Sequence, residues 1–255
     1  MPAHLLLRLE APMLSFGSLA VDQRRPIQRW PAASLLTGLI GNALGYRRTE
    51  PAPLDRLQAR LRWAARLDRP GVPFTDFQTV ELDGADKGWT TSGSIEERAG
   101  GLDTYKSPHI RWRDYRADAS LAVAIRLTDA DEAPTLAELA AALDRPARPL
   151  FIGRKNCLPS QRLLMGVVDA SDVVAALTQA PVAADADARP AVFFNDATAA
   201  TLHNVLLTHR SSDERRFAID VHAGMQIIHE LRTHDADVDR AAGSGADADV
   251  AGLPS

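Results

Sequence analysis

Strand-length apolar runs and amphipathic helical segments follow one another through the first 170 residues of this 255-residue chain in one order, and that order leaves few folds open. "AHLLLRLE" (3–10) reads as a strand. "LLTGLIGNALG" (35–45) repeats Leu35, Leu36, Leu39, Ile40, Ala43 and Leu44 at helical spacing, with Ser34 as the expected cap and Gly45 as the stop. "LDRLQARLRWAARL" (54–67) places Leu54, Leu57, Leu61 and Leu67 on one face, leaves its arginines largely on the other, and reads as a second helix. "FTDFQTVEL" (74–82) alternates as a strand, "LAVAIRL" (121–127) is another, and Thr135 with Glu138 forms a capping box that opens a helix over "TLAELAAALD" (135–144). "RPLFIG" (148–153) and "LLMGVVD" (163–169) supply further strands.

The sum is β-α-β-β-α-β, the ferredoxin-like split pattern of an α+β protein, with an antiparallel four-stranded sheet carrying its helices on one face. A polar, glycine-rich insertion, "DGADKGWTTSGSIEERAGGLDTYKS" (83–107), interrupts it between the second and third strands; loops of that length inside a compact domain are commonly functional or disordered. The expected organisation is a domain over 1–170 with an insertion at about 83–108, then a smaller β-rich segment over 171–234. That segment contains "AVFFND" (191–196) and "RRFAIDVHA" (215–223), and a disordered acidic tail follows over 235–255.

Net charge is −4, which argues against a generally basic nucleic-acid binder, but the average conceals an asymmetry. Residues 1–165 hold 23 Lys and Arg against 19 Asp and Glu, whereas residues 166–255 hold 6 against 14, so a polyanion site is expected in the first two thirds. Of the 29 cations 26 are arginines, suited to bidentate phosphate contacts, although a GC-rich genome produces the same bias. The apolar amino-terminal run is too short to span a membrane and has no basic leader, and a single cysteine cannot form an internal disulfide; a cytoplasmic location is expected.

Three stretches could carry chemistry. "IGRKNCLPS" (152–160) sets Gly153, Arg154 and Lys155 beside Cys157: a phosphate grip, a basic turn between strands, or, with no histidine nearby to act as base, a packed cysteine. "YKSPHIRWRDYR" (105–116) interleaves Tyr105, Trp112 and Tyr115 with Lys106, His109, Arg111, Arg113 and Arg116. Cations hold phosphates and aromatic faces stack on unpaired bases, as single-stranded RNA recognition requires, but a half-buried strand with Trp112 in the core reads equally well. "QRRPIQRWP" (23–31) repeats the composition with Arg24, Arg25, Arg29 and Trp30. No Walker or GxGxxG pattern, no HExxH and no cysteine pair preceding His229 and His234 occurs, so neither a cofactor nor a metal is expected.

Four separated blocks, "LLLRLEAPMLSFGS", "RPIQRWPAASLLTGLIGNALGYRR", "YKSPHIRWRDYRADASLAVAIRL" and "RPLFIGRKNCLPS", resemble in that order the CRISPR-associated Cas-five family of subtype I-E, within the RAMP superfamily. The resemblance spans about residues 3–169. It implies an RRM-like, ferredoxin-like RNA-binding fold with a thumb hairpin, and a non-catalytic subunit of the Cascade surveillance complex that caps the 5′ handle of the CRISPR RNA. Implied partners are the CasC backbone subunit, the CasA large subunit and, through the assembled complex, target DNA. Carried onto this chain, Gly153, Arg154 and Lys155 would face the handle backbone and Arg24, Arg25 and Arg29 would line the same groove. Lys106, His109, Arg111 and Arg113 would support the thumb base and nearby RNA. The alternative is a metal-independent endoribonuclease, as in the related subtype I-C proteins, for which Tyr105, Lys106, His109 and Tyr115 could supply acid, base and cation.

Overall fold

The computed structural model of the chain describes residues 1–18, 22–81, 86–89, 94–96, 109–219 and 221–232. The described elements are β1 (Ala3–Glu10), β2 (Met13–Leu14), β3 (Arg24–Arg25), α1 (Ala33–Leu44), α2 (Pro51–Arg60), β4 (Leu61–Arg69), β5 (Val72–Val80), β6 (Gly88–Trp89), β7 (Ile95–Glu96), β8 (His109–Ala117) and β9 (Ser120–Leu127). They continue with α3 (Leu136–Asp144), β10 (Leu164–Asp169), α4 (Val173–Leu177), β11 (Ala191–Phe194), α5 (Ala197–Leu202), β12 (Leu207–Arg216) and β13 (Val221–Arg232). The protein is a mixed α and β structure built on antiparallel pairing.

Seven strands form the main sheet in the order β10-β1-β9-β4-β11-β13-β12, every pair antiparallel. The order follows from burial. Leu5, Leu7 and Leu9 of β1 pair in register with Ile125, Val123 and Leu121 of β9, which in turn face Trp63, Ala65 and Leu67 of β4. These rows point to one face and meet Leu36, Leu39 and Ile40 of α1 and Leu139 and Leu143 of α3. Each fully buried large side chain in such a row contributes about 1.5–3 kcal/mol by leaving water. The intervening residues, among them Leu6, Ala64, Ala122 and Ala124, point the other way and are roofed by Val173, Val174 and Leu177 of α4. The sheet is therefore covered on both faces, not on one as the sequence pattern predicts. Residues beyond Ser171 also supply β11, β13 and β12 to this same sheet.

The largest departure from the sequence reading lies at 54–67. The helix α2 begins with Pro51 in its first turn and stops at Arg60; Leu61 is extended, and Leu61–Arg69 becomes a central strand. Because β4 is buried on both faces, apolar residues run through it without alternation, and Leu61, Ala64 and Ala65 continue the helical period of α2 by coincidence. Arg60 and Arg66, expected in water, are 0% and 5% exposed.

"FTDFQTVEL" accordingly does not enter the main sheet. Its residues Phe74 to Val80 lie in β5, which pairs with β8 along nine positions, Val72 opposite Ala117 through Val80 opposite His109. β8 also pairs with β2 and, in parallel, with β3, forming a second sheet. The β5–β8 hairpin thus begins before the predicted insertion boundary. Most of the 83–108 insertion lies outside the described residues, which there show only the short antiparallel pair β6–β7. The acidic tail 235–255 is also outside them.

Smaller differences have local causes. Ser34 lies inside α1, whose N-cap is Ala32 with no side-chain bond, while Gly45 ends the helix with φ of 84° as expected. The Thr135–Glu138 capping box is present. Residues 148–153 are loop, not strand, and "RRFAIDVHA" spans the turn between β12 and β13.

Candidate nucleic-acid interface

The loop at 152–157 is a tight turn closed by two backbone bonds, Ile152 N–H to Cys157 O (2.8 Å) and Cys157 N–H to Arg154 O (2.9 Å). Gly153 is obligatory within it. Its φ is +104°, and a Cβ there would come within 2.0 Å of the Ser15 carbonyl oxygen, so the loop rests directly on the backbone after β2. Arg154 fastens the turn to the second sheet. It donates to Asp114 O (2.8 Å) and Arg25 O (3.0 Å), and its guanidinium lies 4.6 Å from the centroid of the buried Tyr115 ring. Asn156 adds a bond to the Tyr115 hydroxyl (3.1 Å). Lys155 is left at the exposed tip. Cys157 is fully buried and burial pushes its thiol up, away from the thiolate a nucleophile needs.

This loop forms one wall of an open cleft of about 510 Å³. Arg154 and Lys155 stand on one side, Ser34, Gly38 and Asn42 on the face of α1 form the floor, and Arg215 and His222 close it from the β12–β13 end. Leu35, Leu39 and Phe151 also line it, and the cations with Ser34 and Asn42 make it a surface that can take a polyanion backbone. Ser34 serves the cleft as lining, not as a helix cap.

The structure brings Gly153, Arg154 and Lys155 together here and places the other sequence-predicted residues elsewhere. Arg24 is exposed on β3, with its guanidinium 5.6 Å from the Trp112 ring, and Arg25 beside it lends its carbonyl to Arg154. Arg29 makes an ion pair with buried Glu230 (3.2 Å) and lies over Phe193 (4.9 Å), tying its loop to β13. Trp30 packs on Phe193 and His209, with ring centroids 5.0 Å apart in each pair. On β8, alternation sets His109, Arg111, Arg113 and Tyr115 on one face and Trp112 on the other, as the sequence predicts for a strand. Trp112 packs on Phe77 and Tyr115 on Phe74, cross-strand partners on opposite faces of the hairpin. Lys106 and Tyr105 lie outside the described residues. His109 and Tyr115 lie six strand steps apart, about 20 Å, and Tyr115 is 1% exposed, so these two cannot meet on one phosphodiester.

Sequence reasoning missed Arg215, His222, Arg48 and Arg148, which stand along the same face of α1. No local motif marks them; two come from the segment whose composition is acidic. Among the described residues no group of three or more His, Cys, Asp or Glu is placed to hold a metal ion, and no helix is long and apolar enough to cross a membrane.

Comparison with known proteins agrees on one family. Residues 4–227 match the family described as CRISPR-associated protein (Cas_Cas5). The CRISPR system Cascade subunit CasD of Escherichia coli (strain K12) is 32% identical over 177 residues, 69% of this chain and 76% of that protein. Among solved structures, a chain of a CRISPR RNA-guided surveillance complex superposes with a TM-score of 0.64 at 27% identity, covering 90% of both chains. A crystal structure of a Cas protein superposes at 0.61 and 22% identity, covering 92% of this chain and 96% of the other, a likeness of fold. The chain belongs to the CRISPR-associated Cas-five family, in its subtype I-E branch.

Proposed function

We propose that this chain is a non-catalytic, cytoplasmic subunit of a type I-E Cascade complex, where it binds and caps the 5′ handle of the CRISPR RNA. In that position it joins a CasC-type backbone subunit to a CasA-type large subunit, and the assembled complex meets target DNA. The observation that carries the reading is the cleft that Lys155 and Arg154, on a turn locked against Ser15 and Tyr115, line together with α1. A phosphodiester strand fits such a surface because it offers positive charge beside polar lining residues, Ser34 and Asn42 among them, and an open position at Gly38. Membership in a family with a Cascade subunit among its relatives supports the assembly role. The strand order β10-β1-β9-β4, with α1–α2 and α3 as the two crossovers, supports a ferredoxin-like, RAMP-type core. In it, the β5–β8 hairpin takes the place of the thumb. Arg24 and Arg25, paired against the middle of β8, with His109, Arg111 and Arg113 along it, provide a second basic surface beside the cleft.

Titration of the full-length chain with 5′-labelled repeat-derived RNA, across a range of salt and with the RNA inspected for cleavage, tests this. Handle-dependent binding that weakens steeply with salt and leaves the RNA intact is expected. Metal-independent cleavage would instead establish the endoribonuclease reading, and binding indifferent to the handle would remove the capping role.

A further inference from the structure

The cleft does not end at Arg215. A second depression of about 300 Å³ shares Gly38, Asn42 and Arg215 with it and continues past Tyr46 and Phe217 to Arg48 and Arg148. The two form one groove along α1. Gly38 sits where they meet, and a Cβ there would touch nothing within 4 Å, so the floor is open at its midpoint.

Arg215 is held over this junction by more than its own strand. Gln58 of α2 bonds its backbone in both directions, donating from Nε2 to Arg215 O (3.0 Å) and accepting at Oε1 from Arg215 N–H (3.1 Å). Asp55, one turn earlier on α2, accepts from Phe217 N–H (3.2 Å). The end of β12 is thus fixed before any ligand arrives. Burial lowers the Arg215 guanidinium below its ordinary value and neighbouring Arg48 lowers it further; desolvation and then Arg215 do the same to His222. His222 is thereby held toward its neutral form, while Arg48 and Arg215 are like charges at one groove, which an incoming anion stabilises.

At the far end Arg148 donates to the Gly45 and Tyr46 carbonyls (2.8 Å each), capping α1 and holding Tyr46 beside the groove. Half-buried Tyr46 and Phe217 place aromatic rings next to the cations, the combination that accepts unpaired bases.

We propose that Arg48 and Arg215, with Tyr46 and Phe217 beside them, form a second subsite for single-stranded RNA, which holds the backbone phosphates that follow or precede those gripped at Lys155. The inference rests on the RNA-binding reading above and extends it: the strand runs along α1 from the 152–157 turn to the 46–48 loop, over the floor at Gly38.

Two full-length variants test it by anisotropy with labelled repeat-derived single-stranded RNA. R48Q/R215Q removes the charge, and Gly38→Leu puts a side chain into the floor without removing a cation, from a position where a Cβ meets nothing within 4 Å. Both are expected to bind at least tenfold more weakly than wild type. R48Q/R215Q should also flatten the dependence of log affinity on log salt by about 0.7 for each phosphate released, whereas Gly38→Leu retains both charges at the far end. Thermal unfolding is recorded alongside, and Gly38→Leu carries the test if the double variant folds poorly. Wild-type binding with both variants unimpaired would overturn the second subsite and leave the handle reading intact. No RNA binding by the wild-type chain would overturn both.

Discussion

Two sets of arginines in this molecule do opposite work. In one, Arg8 of β1 and Arg66 of β4 turn inward. Arg66 and Arg8 share the carboxylate of fully buried Asp68, at 2.5 and 2.6 Å, and spend their remaining donors on the carbonyls of Leu177, Ala180 and Pro181. Asp68 also accepts from Ala183 N–H (3.1 Å). One acid and two bases thereby pin the 177–183 segment that follows α4 across the second face of the sheet. Around the α1 groove the cations are exposed or half-buried, and Gln58 fixes the backbone of Arg215 from both sides. A buried charge network specifies the fold, whereas charge at a groove lies where a ligand can reach it. Arg154 stands between the two classes: it lines the cleft while its guanidinium already serves two carbonyls and a ring.

The comparison breaks most readily at Asp68. Asp68→Ala leaves Arg8 and Arg66 buried with no counter-charge, which costs about 3–5 kcal/mol. Urea unfolding should show the free energy of unfolding falling by that amount, or the chain failing to fold. A loss below about 1 kcal/mol would mean that the carbonyls alone satisfy the two guanidinium groups and that the network is not what holds the segment.

Gly153→Ala tests the boundary between framework and groove. The new methyl meets the Ser15 carbonyl and sits at a φ that non-glycine residues avoid, so the turn must move, at about 1–3 kcal/mol. Because Lys155 rides on that turn, RNA affinity should fall further than when Lys155 is changed alone. Calorimetry paired with an RNA titration reads both; unchanged affinity would show that the position of the turn is unimportant to the ligand.

Lys155→Gln probes the groove without touching the framework. The side chain is exposed, so stability should stay within about 0.5 kcal/mol of wild type. RNA affinity should drop severalfold at low salt, with the salt slope shallower by about 0.7. An unaltered slope would place the phosphate elsewhere.

Much of the framework was legible in the sequence because its elements are bounded apolar segments of the right length. β1, β9, β10 and β11 are strand-length apolar runs, α1 and α3 follow a helical apolar period, and the Thr135–Glu138 box announced its helix. β4 was not legible, since a strand buried on both faces has no period of two and its alanines favour helix until tertiary packing overrides them. The alternation in β5 was read correctly as a strand and assigned to the wrong sheet; Val72, Phe77 and Val80 are more than half exposed there. Half of the groove was visible as the cationic turn at 153–155. The other half was hidden because Arg48, Arg215 and His222 are far apart in sequence and two lie in the acidic third, where net charge argued against a polyanion site.

The smallest effect sharpens the contrast most. Gly38 sits in the middle of α1, where glycine costs about 0.5–1 kcal/mol relative to alanine, and no neighbour requires its small size. Gly38→Ala should therefore raise stability by that amount, visible as a higher unfolding midpoint. On the groove floor the same methyl stands where a backbone would lie, so RNA affinity should fall severalfold. Interior substitutions such as Asp68→Ala lose stability; this one should gain it and lose binding, the opposite signs expected where a residue serves the ligand and not the fold. If stability rises and affinity is untouched, the strand does not cross the helix at this point, and the groove walls act as separate patches.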